Sequence, residues 1–236
     1  MTSSAALAQE VPDPWEPVNR AIFDFNDFVD VHALEPIARG YTEVTPDPVE
    51  ESVAHFFRNL RYPRYLVSDL VQLKFEQALH HTGRFLINST LGVAGLFDVA
   101  KHVGLADHEE DFGSALGYWG VGTGPYMVLP FLGPSNVRDT VGTVVDLALD
   151  PFYFLDYFDA TDLHWAISGG ETALKVVDTR AGLLDAVESA KESSVDYYLF
   201  SRGAFQQYRE GVIHDGKVPA RELSLDEEAE EEFGVE

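Results

Sequence analysis

The sequence predicts an all-α fold, and three observations support that prediction. Apolar residues recur at spacings of three and four over several long windows, which is the period of an amphipathic helix. Val, Ile and Thr do not alternate with polar residues over long windows, so we expect no extended sheet, although the pattern allows a minor hairpin near Tyr126. The 236 residues contain no internal repeat and no linker that clearly divides the chain, which indicates one domain.

The first predicted helix begins after Asp13, a capping residue, and Pro14, which suits a first helical turn. One of its faces carries an apolar stripe with spacings of three and four: Trp15, Val18, Ile22, Phe25 and Val29. Phe23 and Phe28 lie off that stripe. We therefore expect this helix to be apolar on more than one side and to need a second packing partner.

Further helical patterns follow along the chain, most of them bounded by Pro or Gly. They cover Val49–Leu60, Arg64–Val71, Phe75–Leu86, Leu96–Val103, Asn136–Leu149, Asp162–Val187 and Ser194–Val212. Residues 13–215 form the predicted helical domain. Residues 1–12 are predicted to be a flexible N-terminal segment, in which Ala6–Ala8 resembles a signal-peptidase site, and residues 216–236 an acidic disordered tail.

The segment 113–134 differs from its surroundings. It contains six of the nineteen glycines and a short apolar run, Tyr126–Leu132, that is interrupted by Pro130. Glycine adopts positive φ angles and raises backbone freedom, so the segment is predicted to be a hairpin-like loop with an apolar arm. Because an apolar arm is costly in water, we expect it to pack inward, to contact lipid, or to do both in turn.

Composition excludes several classes of function. The chain has 16 Lys and Arg against 40 Asp and Glu, a formal net charge of −24. That charge argues against binding to nucleic acid and against docking on anionic lipid headgroups by charge alone. No cysteine is present, which excludes disulfides, thiolate nucleophiles and acylation at cysteine in the sequence as given. Apolar runs such as Leu91–Phe97 are far shorter than the roughly 18–20 residues of a membrane-spanning helix.

No catalytic residue, metal site or cofactor is predicted. The glycine run 120–124 does not fit the dinucleotide fingerprint, because Pro125 and an apolar run follow it instead of a helix. Ser114 lies in FGSAL and not in a G-x-S-x-G elbow. His102, His108 and the acids at 109–111 lack metal-site spacing, and a solvated loop is the favoured interpretation. A lipid hydrolase stays an alternative without positive support.

Four segments resemble the MlaA/VacJ family of outer-membrane proteins. DPWEPVNRAIFDFNDF at 13–28 is similar to the family's D-P-x-E-x-x-N-R opening, and RFLINSTLGVAGLFDVA at 84–100 to its R-F-x-x-N motif with later Gly and Asp. FGSALGYWGVGTGPYMVLPFLGPSNVRD, within 111–139, is similar to the glycine-rich motif. DTRAGLLD at 178–185, followed by SSVDYYLFSRGAFQQYR, is a weaker match. Together the matches run from about residue 13 to 215.

The resemblance implies a non-enzymatic, single ring-shaped domain of helices lying in the periplasmic leaflet of the outer membrane of a Gram-negative bacterium. Phospholipids misplaced in the outer leaflet pass through its polar channel, beside a mobile hairpin, to a soluble periplasmic carrier and then to an ATP-driven inner-membrane complex. Trimeric porins are the implied partners. Family members carry a lipidated cysteine near the mature N-terminus, and this sequence has none, so the mode of anchoring is left open.

The residues themselves are consistent with this, since helices that are apolar on several faces can lie in one leaflet. Closely spaced glycines and stiffening prolines predict a gate, with Gly117–Gly124 as its flexible limb. The predicted lipid-contact or gating residues are Gly120, Gly122, Gly124, Pro125, Tyr126, Met127, Val128, Leu129, Phe131 and Leu132. The predicted membrane-facing or loop-packing residues are Phe23, Phe25, Phe28, Leu96 and Phe97. The alternatives are a static loop that fills the core, and a soluble periplasmic binding or scaffold protein.

Overall fold

The computed structural model describes residues 13–150 and 162–216. Helices and one hairpin make up this part of the chain: α1 Glu16–Val29, α2 Glu35–Val44, α3 Asp47–Leu60, α4 Tyr62–Val71, α5 Phe75–Thr90, α6 Val99–His102, α7 Phe112–Tyr118, β1 Tyr126–Leu129, β2 Gly133–Asn136, α8 Val137–Ala148, α9 Asp162–Ala181, α10 Leu184–Ser193 and α11 Tyr197–Ile213. A π-helical turn, Asp30–Leu34, joins α1 to α2. The predicted N-terminal segment 1–12 and nearly all of the predicted acidic tail lie outside the described residues.

The elements close into a ring. Taken around the ring, each of the following contacts the next: α1, the π-helical turn, α2, α9, α3, α4, α7, α8, β2 and β1, which contacts α1 again. Helix α5 packs on α3 and α4, and α11 packs on α7 and β2. Because α9 sits between α2 and α3, the ring is closed by contacts between segments far apart in sequence. The predicted all-α, ring-shaped domain with a glycine-rich hairpin is confirmed.

Helices α7 and α8 cross at backbone contact. A Cβ atom on Gly142 would lie 2.4 Å from the backbone N of Gly113, so only glycine permits this approach. Asp146 of α8 then accepts a hydrogen bond from the backbone N–H of Phe112 at 3.1 Å. The Phe-Gly pair that opens the glycine-rich motif therefore fixes the position of α8 relative to α7.

The second motif forms a polar clasp at the end of α5. Arg84 Nη2 lies 2.9 Å from Asp98 Oδ2, and Asn88 Nδ2 donates to Asp98 Oδ1 at 3.0 Å. The side chain of Asn88 also accepts the backbone N–H of Ala100 at 2.9 Å. Burial opposes ionisation of Asp98, but the bonds from Arg84 and Asn88 lower its pKa below the usual value. The clasp ties α6 to α5 with buried, paired polar groups.

Several predicted boundaries were wrong, each for a local reason. Helix α2 was not predicted; its Pro36 lies in the first helical turn, where proline is well tolerated. Helix α7 lies in the segment predicted to be a loop, where Asp111 and Ser114 form a capping box. The predicted helix Asp162–Val187 is two helices, separated at Gly182 and Leu183. Only Val99–His102 of the predicted helix Leu96–Val103 is helical.

Candidate functional site

A polar cavity lies among neighbouring members of the ring. Its volume is about 170 Å³, more than ten times the roughly 10–15 Å³ that one water requires. The lining comes from α3, α4, the start of α7, α8 and α9, which are successive members of the ring. The charged lining residues are Arg61, Arg64, Asp111, Asp146, Asp150 and Lys175.

Two of the cavity's cations have no carboxylate partner. Within the part of the chain that the structure describes, Arg61 and Arg64 form no salt bridge, and the Nε atom of each is buried without a hydrogen-bond partner. The Arg64 guanidinium lies 5.4 Å from the ring centroid of Tyr65, a weak cation–π contact. Asp146 and Asp111 act on Arg64, and Arg61 acts on Asp178, without any of these pairs being within salt-bridge distance. The arginines therefore keep hydrogen-bond donors that an anionic ligand could use.

Other charges of the cavity wall are neutralised inside the protein. Arg209 Nη2 donates to Asp111 Oδ1 and to Asp139 Oδ1, both at 3.0 Å. Burial opposes ionisation of Asp111, but Arg209 outweighs it and lowers the pKa of Asp111 below its usual value. Lys175 Nζ lies 3.5 Å from Asp150 Oδ2. Asp111 and Asp150 therefore line the cavity as members of ion pairs.

Asp146 is the cavity carboxylate whose titration is most perturbed. Burial raises the pKa of Asp146 to about 6, with the nearby Asp111 acting in the same direction and Arg64 in the opposite one. Its only hydrogen-bond donor among the described residues is the backbone N–H of Phe112. The cavity therefore contains one carboxylate with unused acceptor capacity beside two unpaired guanidinium groups.

The predicted gating residues form the antiparallel hairpin β1–β2 and its approach. Gly120 and Gly124 have positive φ angles of 80° and 67°, a backbone conformation that favours glycine. A Cβ atom on Gly122 would have no neighbouring atom within 4 Å, so this glycine lies in open space. Pro125 follows as a half-buried residue. These residues lead into β1 from the end of α7.

The apolar arm is divided between the core and the surface. Tyr126 and Val128 are 1% and 2% exposed and pack with Tyr198, whereas Phe131 and Leu132 at the tip are 72% and 67% exposed. Met127 and Leu129 are half-buried. Phe131 has a φ of 63°, a left-handed conformation that is costly for an aromatic residue. The arm therefore packs inward along the strand, as one of the expected arrangements, and is exposed in the turn; whether the turn contacts lipid stays a prediction.

Two asparagines of α1 bind the backbone of the hairpin. Asn19 donates to Tyr126 O at 3.1 Å and accepts Val128 N–H at 3.0 Å. Seven residues later, Asn26 donates to Leu129 O at 2.9 Å and accepts Phe131 N–H at 2.8 Å. Because residues seven apart lie two turns along one helix face, α1 pairs with β1 much as a second strand would.

The D-P-x-E-x-x-N-R motif at 13–20 stabilises this contact between α1 and β1. Asp13 accepts from Asn19 Nδ2 at 2.7 Å and also from the hydroxyl of Tyr198. Arg20 binds Asp196 through two hydrogen bonds and lies 4.3 Å from the ring centroid of Tyr198. The D-P-x-E-x-x-N-R motif is therefore the device that joins α1, β1 and α11.

The predicted membrane-facing or loop-packing aromatics occupy two environments. Phe23 packs on the buried cluster that contains Tyr126, whereas Phe25 meets Phe131 edge to face at 5.3 Å between ring centroids. Phe28 and Phe97 are 60% and 57% exposed, and Leu96 is half-buried. The structure therefore brings the hairpin tip and the outer face of α1 together, whereas Phe97 lies on the loop between α5 and α6.

Large apolar side chains remain exposed around much of the described structure. Besides the residues already named, those more than half exposed include Val18, Ile37, Leu73, Phe75, Leu79, Leu86, Leu91, Val93, Val103, Trp119, Val144 and Leu147. So extensive an apolar surface marks contact with a membrane or with another protein. In the described residues no helix is long and apolar enough to cross a membrane, and no cluster of three or more His, Asp or Glu could hold a metal ion.

The sequence analysis missed the cavity charges and the two asparagines. Arg61 and Arg64 occupy the short stretch RYPR in a chain with only 16 Lys and Arg, and that local concentration was the available signal. Asn19 and Asn26 were visible as two asparagines seven residues apart inside a predicted helix, where asparagine is unfavourable unless it finds a partner.

Fold and site together define a class of protein, a helical ring with a charged cavity between its helices and many exposed apolar side chains. The sequence profile of the MlaA lipoprotein family matches residues 11–211. The chain belongs to the MlaA lipoprotein family, as its motifs predicted.

Relatives and a solved structure agree with this assignment. The chain is 34% identical over 227 residues to the intermembrane phospholipid transport system lipoprotein MlaA of Escherichia coli (strain K12), covering 93% of this chain and 86% of that protein. An uncharacterized protein of Rickettsia felis is 38% identical over 205 residues, covering 86% and 79%. A solved chain from work on the structural basis for maintenance of bacterial outer membrane lipid asymmetry matches with a TM-score of 0.73 and 32% identity, covering 86% of this chain and 99% of that one.

Proposed function

We propose that this protein transports phospholipids without covalent chemistry. It removes phospholipids mislocalised in the outer leaflet of the outer membrane of a Gram-negative bacterium through its central channel. It then passes them to a periplasmic carrier for retrograde transport, which maintains the lipid asymmetry of that membrane. The observation that carries the proposal is the charged cavity inside a ring whose exterior is apolar, together with the names of the relatives.

The exterior suits a position in the periplasmic leaflet of the outer membrane. A lipid-embedded ring needs apolar side chains facing outward, and each fully buried aromatic or leucine contributes about 1.5–3 kcal/mol. Phe28, Phe97, Phe131 and Leu132 are all more than half exposed and are available for this contact. A few such residues suffice to hold the ring in one leaflet.

The cavity suits the headgroup of the transported lipid. A phospholipid phosphodiester is an anion that only accepts hydrogen bonds, and guanidinium groups are the side chains that match it best. Arg61 and Arg64 line the cavity, and the Nε of each is buried without a hydrogen-bond partner. The acyl chains then remain on the apolar side of the ring while the headgroup crosses through its interior.

The hairpin is proposed to act as a gate beside the channel. Gly117–Gly124 is its flexible limb, and the residues Tyr126–Leu132 exchange one set of apolar contacts for another. The left-handed Phe131 at the exposed tip and the four hydrogen bonds from Asn19 and Asn26 give the closed position a defined, breakable set of contacts. A gate needs a difference of only a few kcal/mol between its two positions.

The proposed partners are a soluble periplasmic lipid carrier and a trimeric outer-membrane porin. Their support is membership of the family and the name that the relatives carry, an intermembrane phospholipid transport system. The carrier receives lipid at the periplasmic face, and the porin holds the ring at its place in the membrane.

Replacing both cavity arginines tests the transport proposal. We expect Arg61→Gln/Arg64→Gln to impair transport, because the phosphate loses both cations. In cells whose own copy is deleted, outer-leaflet phosphatidylethanolamine is labelled with an amine reagent that does not cross membranes. The variant should give more label than wild type and greater sensitivity to detergent. Arg39→Gln, which removes an exposed arginine paired with Glu35 and Glu188, is the matched control. Normal asymmetry with the double variant, at normal protein level, would contradict the proposed role of the cavity.

A disulfide tether tests the gate. The chain contains no cysteine, so a bond between Phe25→Cys and Phe131→Cys is the only one that can form. Both rings already touch, at 5.3 Å between centroids. A gate predicts that the oxidised form loses transport and recovers it on reduction, with porin association unchanged. If several well-formed tethers between the hairpin and α1 leave transport intact, the hairpin is static.

A further inference from the structure

The unpaired charges in the cavity have both signs. Among the described residues Arg61 and Arg64 form no salt bridge, and the carboxylate of Asp146, on which Arg64 acts from a longer distance, receives only the Phe112 N–H. A cavity that only attracted an anion would be weakened by an unpaired carboxylate beside the two cations. Retaining that carboxylate indicates a ligand that carries a positive charge as well.

We propose that the cavity selects zwitterionic headgroups, with the phosphodiester bound by Arg61 and Arg64 and a primary ammonium bound by Asp146. The inference rests on the proposed transport of phospholipids and names the lipid class. An ammonium has three donors and no acceptor, so it needs an anionic acceptor when it leaves water. A glycerol headgroup offers only neutral hydroxyls at that position, which gain less from Asp146.

The surroundings of Asp146 favour a cationic group there. Burial and the neighbouring Asp111 raise the pKa of Asp146 to about 6, and a bound ammonium would relieve both effects. The other charged groups that face it are Arg64 on α4 and Arg209 on α11, with Lys175 of α9 and Asp150 at the end of α8 in the same cavity wall. Arg209 and Lys175 are already paired with carboxylates, so neither replaces the ammonium.

Lipid retention measures the selectivity directly. Purified protein in a non-ionic detergent is mixed with equal amounts of phosphatidylethanolamine and phosphatidylglycerol of identical acyl chains. Lipid that stays bound through gel filtration is quantified by mass spectrometry. A charge-assisted contact predicts that wild type prefers phosphatidylethanolamine by about tenfold. Asp146→Asn keeps an oxygen for the Phe112 N–H but loses the charge, and should bring that ratio close to one by weakening phosphatidylethanolamine alone. Asp185→Asn, an exposed carboxylate outside the cavity, should change nothing.

Further measurements separate the possible outcomes. Lowering the pH from about 8 to about 5 protonates Asp146 and should reduce the preference in wild type but not in Asp146→Asn. Glycerophosphoethanolamine, the soluble headgroup, should compete better than inorganic phosphate; equal competition would mean a free-phosphate site and overturn the proposal. A wild-type preference that is absent, or that survives in Asp146→Asn, also overturns it while leaving lipid transport intact. Retention of neither lipid by wild type would instead contradict the proposed function itself.

Discussion

Replacing Asn26 by Ala removes both hydrogen bonds that hold the hairpin tip to α1. The bonds run from Asn26 Nδ2 to Leu129 O at 2.9 Å and from Phe131 N to Asn26 Oδ1 at 2.8 Å. Each contributes about 0.5–1.5 kcal/mol net, because water solvates the freed groups at this exposed tip. The free energy of opening the tip should therefore fall by about 1–3 kcal/mol.

Amide hydrogen exchange measures this opening. A loss of about 1–3 kcal/mol corresponds to exchange about five to 150 times faster at the amides of the tip, read in peptides that cover 126–136. The peptides of the polar clasp, Arg84–Ala100, share no contact with Asn26 and should keep their protection. Because the change is local, the melting temperature should fall by no more than a few degrees.

Two further variants serve as comparisons for Asn26→Ala. Asp24→Ala changes an exposed residue of the same helix, for which the described structure has no hydrogen bond to the hairpin, and should leave exchange unaltered. Asn19→Ala leaves Val128 N and Tyr126 O buried without partners, at about 1–3 kcal/mol each, and should lower the melting temperature of the whole domain. If the amides of the hairpin tip exchange no faster in Asn26→Ala than in Asp24→Ala, the reasoning is refuted. The two hydrogen bonds of Asn26 would then contribute nothing to the stability of the tip.

Three other outcomes follow from the geometry. Gly142→Ala places a Cβ 2.4 Å from the backbone N of Gly113. The free energy of unfolding, measured with denaturant, should fall by at least about 1–3 kcal/mol. An unchanged unfolding midpoint would mean that α7 and α8 separate easily. Phe131→Ser/Leu132→Ser should leave the circular dichroism and melting temperature unchanged but weaken binding to phospholipid vesicles, and equal vesicle binding would place lipid contact elsewhere. The folded-state pKa of Asp146 is raised to about 6, so its contribution to stability is present at low pH and is lost as pH rises through about 6. Asp146→Asn should therefore be more stable than wild type above that pH, by on the order of 1 kcal/mol, with the difference vanishing near pH 4; a constant difference would contradict the assigned pKa.

Local signals in the sequence were enough for most helices and for the hairpin. The stripe of α1 and the acidic first turn of α3 predicted those two helices, and the predicted hairpin in the glycine-rich segment is present as β1–β2. Family membership could also be read directly, because the motifs are long. What these signals have in common is that each depends on residues close together along the chain.

The arrangement of the ring could not be read in this way. Gly113 and Gly142 are both required because two helices touch there, and no local pattern pairs one glycine with the other. Similarly, Arg61 and Arg64 look like ordinary solvated residues of a short helix until α8 and α9 enclose them. That they form no salt bridge becomes visible only when Asp111 and Asp150 are seen to pair with Arg209 and Lys175 instead.

The contrast between the cavity and the other buried charges is what assigns the cavity to a ligand. Glu110 is buried and accepts hydrogen bonds from Ser68, Gln72, Lys74, Gln77 and Ser114. Asp98 likewise accepts hydrogen bonds from Arg84 and Asn88. Other buried polar atoms, such as Glu50 Oε1 and Arg180 Nη1, also lack a hydrogen-bond partner, but their residues do not line this cavity. Because buried charges without a close partner reduce stability, the presence of Arg61, Arg64 and Asp146 around one cavity favours a charged ligand that binds all three.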